Sequence, residues 1–169
     1  MTSYTERKLW KEGKSQVHAN GLFAKVDIPK GTKIIEYIGQ KIKKSVGDKR
    51  SEKRIEKYLN SNKTGSVYIF ELNNRYDIDG SFKYNKARYI NHSCNPNCEV
   101  KIIKGHIWIV SIKNILKNKE LNYDYGYEFD KDDYKDHKCK CGEKKCIGYI
   151  ISSDDWPKYK RYIRIQKTK

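Results

Sequence analysis

Short runs of apolar residues, separated by glycine, proline, asparagine and lysine, recur along most of the chain. Between residues 16 and 42 these runs break at turn-forming residues and predict two or three short strands. Residues of high β-propensity concentrate again at 67–72, 76–79 and 106–112, which predicts further strands. The pattern therefore predicts a β-rich chain.

Two segments have a helical pattern instead. Residues 43–63 are strongly charged and carry a narrow apolar stripe, which predicts a surface helix inserted over the sheet. The members of that stripe are Ile55, Tyr58 and Leu59. Near the C-terminus, the order Asp155, Trp156, Pro157 is typical of a helix start, and Trp156, Tyr159 and Ile163 then share one side. The fold class predicted is thus β-rich α+β with short helices.

The charge balance adds a preference for acidic partners. The chain has 37 Lys and Arg against 21 Asp and Glu, a formal net charge of +16, and such a field steers a protein towards acidic partners or nucleic acid. Biased codon usage is the alternative explanation, because the lysines are dispersed. Residues 1–20 contain no signal-like apolar stretch, and no run of 18 apolar residues occurs. We therefore expect a soluble, intracellular protein without membrane association.

The five cysteines indicate a metal site in a reducing compartment. Cys139 and Cys141 are too close in sequence for a comfortable mutual disulfide, and Cys146 follows after a turn at Gly142. Three thiolates do not complete the tetrahedral set of a structural zinc site. The residues alone leave the fourth ligand open between Cys94 and Cys98.

Two further segments combine turn-forming residues with aromatic or titratable side chains. Residues 88–97 interrupt a β pattern with polar residues, and taken alone this is more typical of a structural turn. Residues 120–126 place Tyr123 and Tyr125 two positions apart, so that both face one side of a strand. A buried tyrosine pair is the plainer explanation of that spacing.

Together these segments resemble the SET-domain protein-lysine N-methyltransferase family, most closely its trithorax-like branch. The resemblance covers residues 15–150, and its motifs follow in order: 18–23, 36–39, 88–97, 120–126 and the Cys-x-Cys-x4-Cys tail of a post-SET segment. It implies a SET fold of small curved β-sheets with a C-terminal pseudoknot, a helical insertion and a zinc-bound post-SET segment. The implied domains are an N-terminal extension (1–14), the SET domain (15–134, insertion 43–63), the post-SET zinc segment (135–151) and a C-terminal helix or tail (152–169).

The resemblance also implies a reaction, methyl transfer from S-adenosylmethionine to a lysine side chain. Tyr125 matches the catalytic tyrosine, and the substrate channel would have the walls Tyr37, Tyr123 and Tyr125. Tyr123 falls where the family carries Phe or Tyr, and its hydroxyl implies chiefly monomethylation. The implied cofactor-binding residues are His18, Ala19, Asn20, Tyr68, Asn91, His92 and Lys140. Ala19 replaces the first glycine of the family's turn, which costs roughly 1 kcal/mol if that position requires a positive φ.

For the metal, the resemblance selects one structural zinc bound by Cys94, Cys139, Cys141 and Cys146, and leaves Cys98 as the spare thiol. The implied substrate is a histone or another basic protein with an accessible lysine, and the positive charge suggests association with nucleoprotein. We expect a nuclear or chromatin location in a eukaryotic cell, whether the protein is made there or delivered to it, and the cytoplasm otherwise.

Two alternatives lack catalysis: a zinc-stapled basic module that binds nucleic acid, and a silent SET scaffold. The presence of Asn91, His92, Tyr123 and Tyr125 argues against both.

Overall fold

The computed structural model describes residues 8–59 and 68–168. These residues form ten short strands, two α-helices and several 3-10 turns. The strands are β1 (Trp10–Lys14), β2 (Asn20–Ala24), β3 (Lys33–Glu36), β4 (Gln40–Lys43), β5 (Ile69–Asn73), β6 (Tyr76–Asp79), β7 (Asn91–His92), β8 (Cys98–Ile103), β9 (His106–Ser111) and β10 (Asn122–Tyr123); the helices are α1 (Lys44–Leu59) and α2 (Trp156–Lys167). The predicted β-rich fold with few helices is confirmed.

The chain divides into two compact units. The first contains the described parts of residues 1–32, 90–99 and 110–169, and the second contains those of 33–89 and 100–109. Among the residues that the structure describes, no helix has both the length and the apolar character needed to cross a membrane. The domain boundaries and the pseudoknot stay predictions.

The first unit is built around β2, whose buried positions begin its core. Strand β1 pairs with β2 in antiparallel register, Trp10 opposite Ala24, and the sequence pattern did not predict this strand. On the other side, the N–H of Leu121 donates to the carbonyl of Leu22 over 2.7 Å. The fully buried side chains here are aliphatic: Leu22, Ala24, Ile28, Ile115 and Leu121. Apolar burial therefore fixes the frame from which β7 and β10 project.

The second unit contains the three-stranded sheet ordered β4-β6-β5 and most of the sheet ordered β3-β9-β8. Strand β6 is central in the first of these and pairs antiparallel with both neighbours. Helix α1 is attached to β6 by charge: Arg50 and Arg54 donate to the carboxylate of Asp79, which is 1% exposed. These bonds lower the pKa of Asp79 to about 2, although burial acts in the opposite direction.

Helix α1 corrects one detail of the sequence analysis. The helix itself is confirmed within the predicted insertion, but Ile55 of the expected apolar stripe is 45% exposed. The side chains of Tyr58 and Leu59 lie outside the described residues. Ion pairs to a buried carboxylate, rather than burial of Ile55, attach this helix, because its mean composition is strongly polar.

Candidate active site and metal centre

The segments 88–97 and 120–126 meet through a short parallel strand pair. Strand β10 pairs with β7 so that Asn122 lies opposite Asn91 and Tyr123 lies opposite His92. The N–H of Ser93 continues the pairing by donating to the carbonyl of Tyr123 over 3.1 Å. Two sequence motifs about 30 positions apart thereby form one buried polar cluster.

Asn91 joins three parts of this cluster through its side-chain amide. Its Nδ2 donates to the carbonyl of Asn20 over 3.0 Å and to Oε1 of Glu120 over 2.7 Å. Gly21 permits this approach, because a Cβ there would lie 2.5 Å from Oε1 of Glu120. The amide therefore fixes the end of the 18–20 segment against β7.

The segment 18–20 itself is exposed, and Asn20 opens β2. Among the described residues, the non-glycine positions with positive φ are Lys104 and Asn118, so Ala19 is not strained. The conditional cost of about 1 kcal/mol for a methyl group at Ala19 therefore does not arise.

His92 contacts both the tyrosine segment and a cysteine. The imidazole is 3% exposed; its Nδ1 lies 3.2 Å from the backbone N–H of Tyr125, and its Nε2 lies 3.6 Å from Sγ of Cys94. A backbone N–H can only donate, so Nδ1 accepts and the ring proton sits on Nε2, which faces the sulfur. Burial lowers the pKa of His92 and favours its neutral form, although the carboxylate of Asp124 acts in the opposite direction.

Tyr123 and Tyr125 lie side by side, with ring centroids 5.0 Å apart. Tyr123 is buried, and the hydroxyl of Tyr125 donates to the carbonyl of Ile90 over 3.1 Å. The ring of Tyr125 also contacts His92 edge-on at 5.4 Å and Tyr127 at 6.0 Å. Gly126 follows with φ of +71°, which turns the chain directly after Tyr125. Aromatic contacts and a directed hydrogen bond thus fix the Tyr125 phenol.

Two predicted site residues belong to the second unit. Tyr37 is 2% exposed, and its hydroxyl donates to the carbonyl of Tyr68 over 3.1 Å. The guanidinium of Arg88 lies 4.1 Å from the centre of the Tyr68 ring, a cation–π contact. These contacts fix both tyrosines within that unit.

The four predicted metal ligands converge. The Sγ atoms of Cys94, Cys139, Cys141 and Cys146 all lie within 4.8 Å of one another. From Cys94 the sulfur distances are 3.8 Å to Cys139 and 3.7 Å to Cys146. A tetrahedron with zinc–sulfur bonds of about 2.3 Å has edges of about 3.8 Å, whereas a disulfide requires about 2.0 Å. The donor set and its spacing therefore fit one tetrahedral zinc ion.

Local backbone geometry brings these thiols together. Cys94 lies in the bend two positions after β7, and the N–H of Cys139 donates to the carbonyl of Gly148 over 2.9 Å. Gly142 and Gly148 have φ of +71° and +88°, left-handed conformations that glycine adopts without strain and that turn the chain on either side of Cys146. Lys140, the remaining predicted cofactor contact, lies exposed between two of the thiols. Cys98 lies apart from the cluster: its thiol donates to Oδ1 of Asn97, and burial raises its pKa to about 12.

The thiols of the cluster differ in acidity. Burial raises the pKa of Cys94 and raises that of Cys139 to about 12. Burial acts the same way on Cys141, but backbone N–H groups of Cys94 and Glu143 lower its pKa. Bound zinc would stabilise all four thiolates by its own charge.

Comparison with known proteins agrees with this arrangement. A family model described as "SET domain" matches residues 19–126, more than half of the chain. The chain belongs to the SET-domain family. The match includes β7, β10 and both tyrosines of the cluster, whereas the three cysteines of the tail and α2 follow it.

Individual relatives of this SET-domain chain carry names from histone methylation. It is 36% identical over 141 residues to "Histone-lysine N-methyltransferase trithorax" of Drosophila virilis, covering 81% of the chain and 3% of that protein. It is 40% identical over 141 residues to "Histone-lysine N-methyltransferase, H3 lysine-4 specific" of Saccharomyces cerevisiae, covering 81% and 13% respectively. For human "Histone-lysine N-methyltransferase 2D" the identity is 37% over 148 residues, covering 83% and 2%. The chain thus spans a small part of the length of these relatives.

One feature of the SET-domain site was missed by the sequence analysis. The imidazole of His92 was expected only beside the cofactor, yet it also contacts Sγ of Cys94. The short separation of the two residues was the available signal, because Cys94 lies two positions after His92, in the bend that follows β7. The sequence did not reveal that the backbone N–H of Tyr125 would donate to the other ring nitrogen, Nδ1.

Proposed function

We propose that this chain is an S-adenosylmethionine-dependent protein-lysine methyltransferase that adds chiefly one methyl group to a histone lysine. The observation that carries the proposal is the β7–β10 pairing, which joins Asn91 and His92 to Tyr123 and Tyr125 inside the family match. The names of the relatives support the same reaction class.

The methyl donor binds beside β7 in this proposal. Asn91 and His92 contact it through amide and backbone groups, together with the exposed residues His18, Ala19 and Asn20. The bond from Asn91 to the Asn20 carbonyl supports this role, since it fixes the 18–20 segment against β7. Tyr68 and Lys140 supply the remaining contacts.

The reaction is an in-line displacement at a methyl carbon. The lysine ammonium first loses a proton to solvent. The uncharged amine then attacks the methyl group, and the carbon–sulfur bond breaks as the carbon–nitrogen bond forms, which leaves a cationic methylated amine and a neutral thioether. A free lysine has a pKa near 10.4, and desolvation between aromatic walls lowers it. Tyr37, Tyr123 and Tyr125 form these walls in our proposal, and their ring faces accept the cationic product.

Tyr125 has the catalytic role in this proposal. Its hydroxyl proton is directed at the Ile90 carbonyl, so towards a bound substrate its oxygen acts as an acceptor. Such an oxygen stabilises the positively polarised methyl group and the attacking amine during transfer. Its fixed ring position supports this role, because displacement depends strongly on alignment.

Tyr123 limits the product to one methyl group in this proposal. Its hydroxyl occupies space next to the amine and restricts reorientation after the first transfer. Intact-mass analysis tests this point: we expect monomethyl product from the native chain and more dimethyl and trimethyl product from Tyr123→Phe. Dominant trimethyl-lysine from the native chain would refute the role.

The proposed zinc ion has a structural role. Cys94, Cys139, Cys141 and Cys146 bind it, and when bound it cross-links the tail to the residues that follow β7. The 3.6 Å contact between His92 Nε2 and Cys94 Sγ supports a mechanical link from the metal to the Tyr125 backbone.

The decisive experiment uses methyl-labelled S-adenosylmethionine with histones, ribosomal proteins and cell extract, and locates the label by mass spectrometry. We expect label on a lysine of histone H3, because several relatives are named for H3 lysine 4. Label on ribosomal protein alone would change the substrate class. Cofactor binding without transfer would indicate a missing partner or a specialised substrate, and the absence of cofactor binding as well would favour a silent scaffold.

Tyr125→Phe should lose at least about a hundredfold in turnover while still binding cofactor. Tyr84→Phe is the matched control, because Tyr84 is 57% exposed. Equal turnover in both variants would remove the catalytic role from Tyr125.

A further inference from the structure

Helix α2 lies outside the family match and carries an unbalanced positive charge. Its residues include five bases and no acid: Lys158, Lys160, Arg161, Arg164 and Lys167. All five are exposed. No side-chain hydrogen bond or ion pair joins Arg161, Arg164 or Lys167 to another described residue.

Helix α1 provides an internal comparison, since it too is basic and mostly exposed. Besides Lys49, Lys53 and Lys57 it contains three acidic residues of its own, Asp48, Glu52 and Glu56. Its Arg50 and Arg54 bind Asp79, and its Lys44 pairs with Glu71. The positive charge of α1 is therefore largely balanced within the protein. On α2, Lys158 donates to the carbonyl of Phe129 over 3.2 Å, and the other four bases are directed at solvent.

The opposite side of α2 holds the helix in place. Trp156, Tyr159, Tyr162 and Ile163 pack against Phe129, Tyr134 and Ile151, and the indole N–H of Trp156 donates to the carbonyl of Ile151 over 3.1 Å. The basic side is thus presented on a fixed helix. Ordering it costs little further conformational entropy when a partner binds.

We infer that the solvent-facing side of α2 binds the phosphate backbone of double-stranded DNA. Four of the bases, Lys160, Arg161, Arg164 and Lys167, share this side and span about 10.5 Å of helix axis, one per roughly 3.5 Å, close to the axial phosphate spacing of one DNA strand. Arginine forks suit phosphate oxygens in particular. The charge density and its geometry therefore complement a duplex backbone.

The packing of α2 also favours a DNA duplex over single-stranded nucleic acid or a protein as the partner. Single-stranded nucleic acid is normally held by exposed aromatic side chains that stack on bases, but the aromatic residues of α2 face the core. A protein partner would normally bury apolar anchors. Of the exposed large apolar residues in the described chain, Ile165 is the one that α2 carries. A row of bases with few anchors fits sequence-independent backbone binding.

The test measures binding of the full chain to a short labelled DNA duplex by fluorescence anisotropy over a series of salt concentrations, without methyl donor. The triple variant Arg161→Gln, Arg164→Gln, Lys167→Gln should reduce the log–log salt slope by roughly 2.7, and weaken binding at least about tenfold at low salt. The matched triple Lys49→Gln, Lys53→Gln, Lys57→Gln removes the same net charge from α1. It should leave both quantities nearly unchanged.

Equal losses in both triples would overturn the inference, because net charge and not α2 would then explain binding. Tighter binding to single-stranded RNA of matched length would overturn the choice of duplex. Circular dichroism melting checks that the α2 variant stays folded, and Arg161→Lys, Arg164→Lys should restore binding in a folded chain. Methylation of an isolated histone peptide should be unaffected by the α2 triple, so failure of the proposed reaction and failure of DNA binding are separable.

Discussion

The cluster around Asn91 and His92 and the cluster around Phe129 and Tyr134 belong to the same unit but are held by different forces. In the first, named donors meet named acceptors, as from Asn91 to Glu120 and from Tyr125 to His92. In the second, aromatic rings pack at centroid distances of about 5 to 6 Å. A hydrogen-bonded cluster loses a contact when a single donor or acceptor atom is replaced. A packed cluster loses stability in proportion to the buried apolar area that a substitution removes.

The largest effect should come from removing a thiol of the metal site. Cys94 and Cys98 are both buried and lie four positions apart, but only Cys94 belongs to the thiol cluster. Cys94→Ser removes one of four convergent ligands, so most of the apparent 10–16 kcal/mol of a structural zinc site should be lost. Metal analysis of purified protein should find close to one zinc in the native chain and little in this variant. Cys98→Ser is the matched control and should retain the metal. If Cys98→Ser lost zinc and Cys94→Ser kept it, Cys98 would be the ligand and Cys94 the spare thiol.

Truncation in the packed cluster should produce the next largest effect. Phe129 is 7% exposed and contacts Tyr134, Tyr159 and Tyr162, so Phe129→Ala should lower the free energy of unfolding by about 3–5 kcal/mol. Urea denaturation measures this change. Phe82→Ala, at a position 39% exposed, should cost about 1 kcal/mol or less. Similar costs at both sites would mean that the cluster contributes little packing energy.

A smaller effect should depend on pH and report the directional contacts of Asp79. Its folded pKa of about 2 lies below its ordinary value of 3.8, so ionisation stabilises the folded state above pH 4. That contribution, about 2 kcal/mol, should be lost as the pH falls from about 4 to 2. Unfolding free energies of the native chain and Asp79→Asn, compared at each pH, isolate the group. A difference that does not change over this interval would contradict the assignment.

The smallest effect should be on zinc affinity, and it distinguishes the role of Nε2 of His92 from that of Nδ1. His92→Gln keeps a donor near Cys94, whereas His92→Asn keeps an acceptor for the Tyr125 N–H. Chelator competition should show zinc affinity about tenfold weaker in the Asn variant than in the Gln variant. The reverse order would mean that Nε2 does not support the metal.

Much of the fold was predictable because it depends on local patterns. Strand β6 was predicted at Tyr76–Asp79, and α2 begins at the predicted order of Asp155, Trp156 and Pro157. Strand β1 was not predicted, because none of its side chains is fully buried and it is stabilised by pairing with β2. Local pattern describes an element but not the neighbour that stabilises it.

The site was predictable to a different degree. Residue type and spacing indicated a thiol site but left Cys94 and Cys98 equivalent, and the family resemblance made the choice that the sulfur distances support. The link from His92 to Tyr125 was not predicted, because it joins positions 33 apart. Such contacts depend on the register of β7 against β10, which no local pattern encodes.

The contacts of Asn91 and Cys94 also determine when the site can form during synthesis. The hydrogen bond from Asn91 reaches back 71 positions to Asn20, and the thiol cluster reaches forward 52 positions from Cys94 to Cys146. Closing such long loops is slow, because their entropy is lost before the contacts are gained. A ribosome must therefore have released Cys146 before the cluster is complete, so a nascent chain that already contains every residue of β7 and β10 still lacks the finished site.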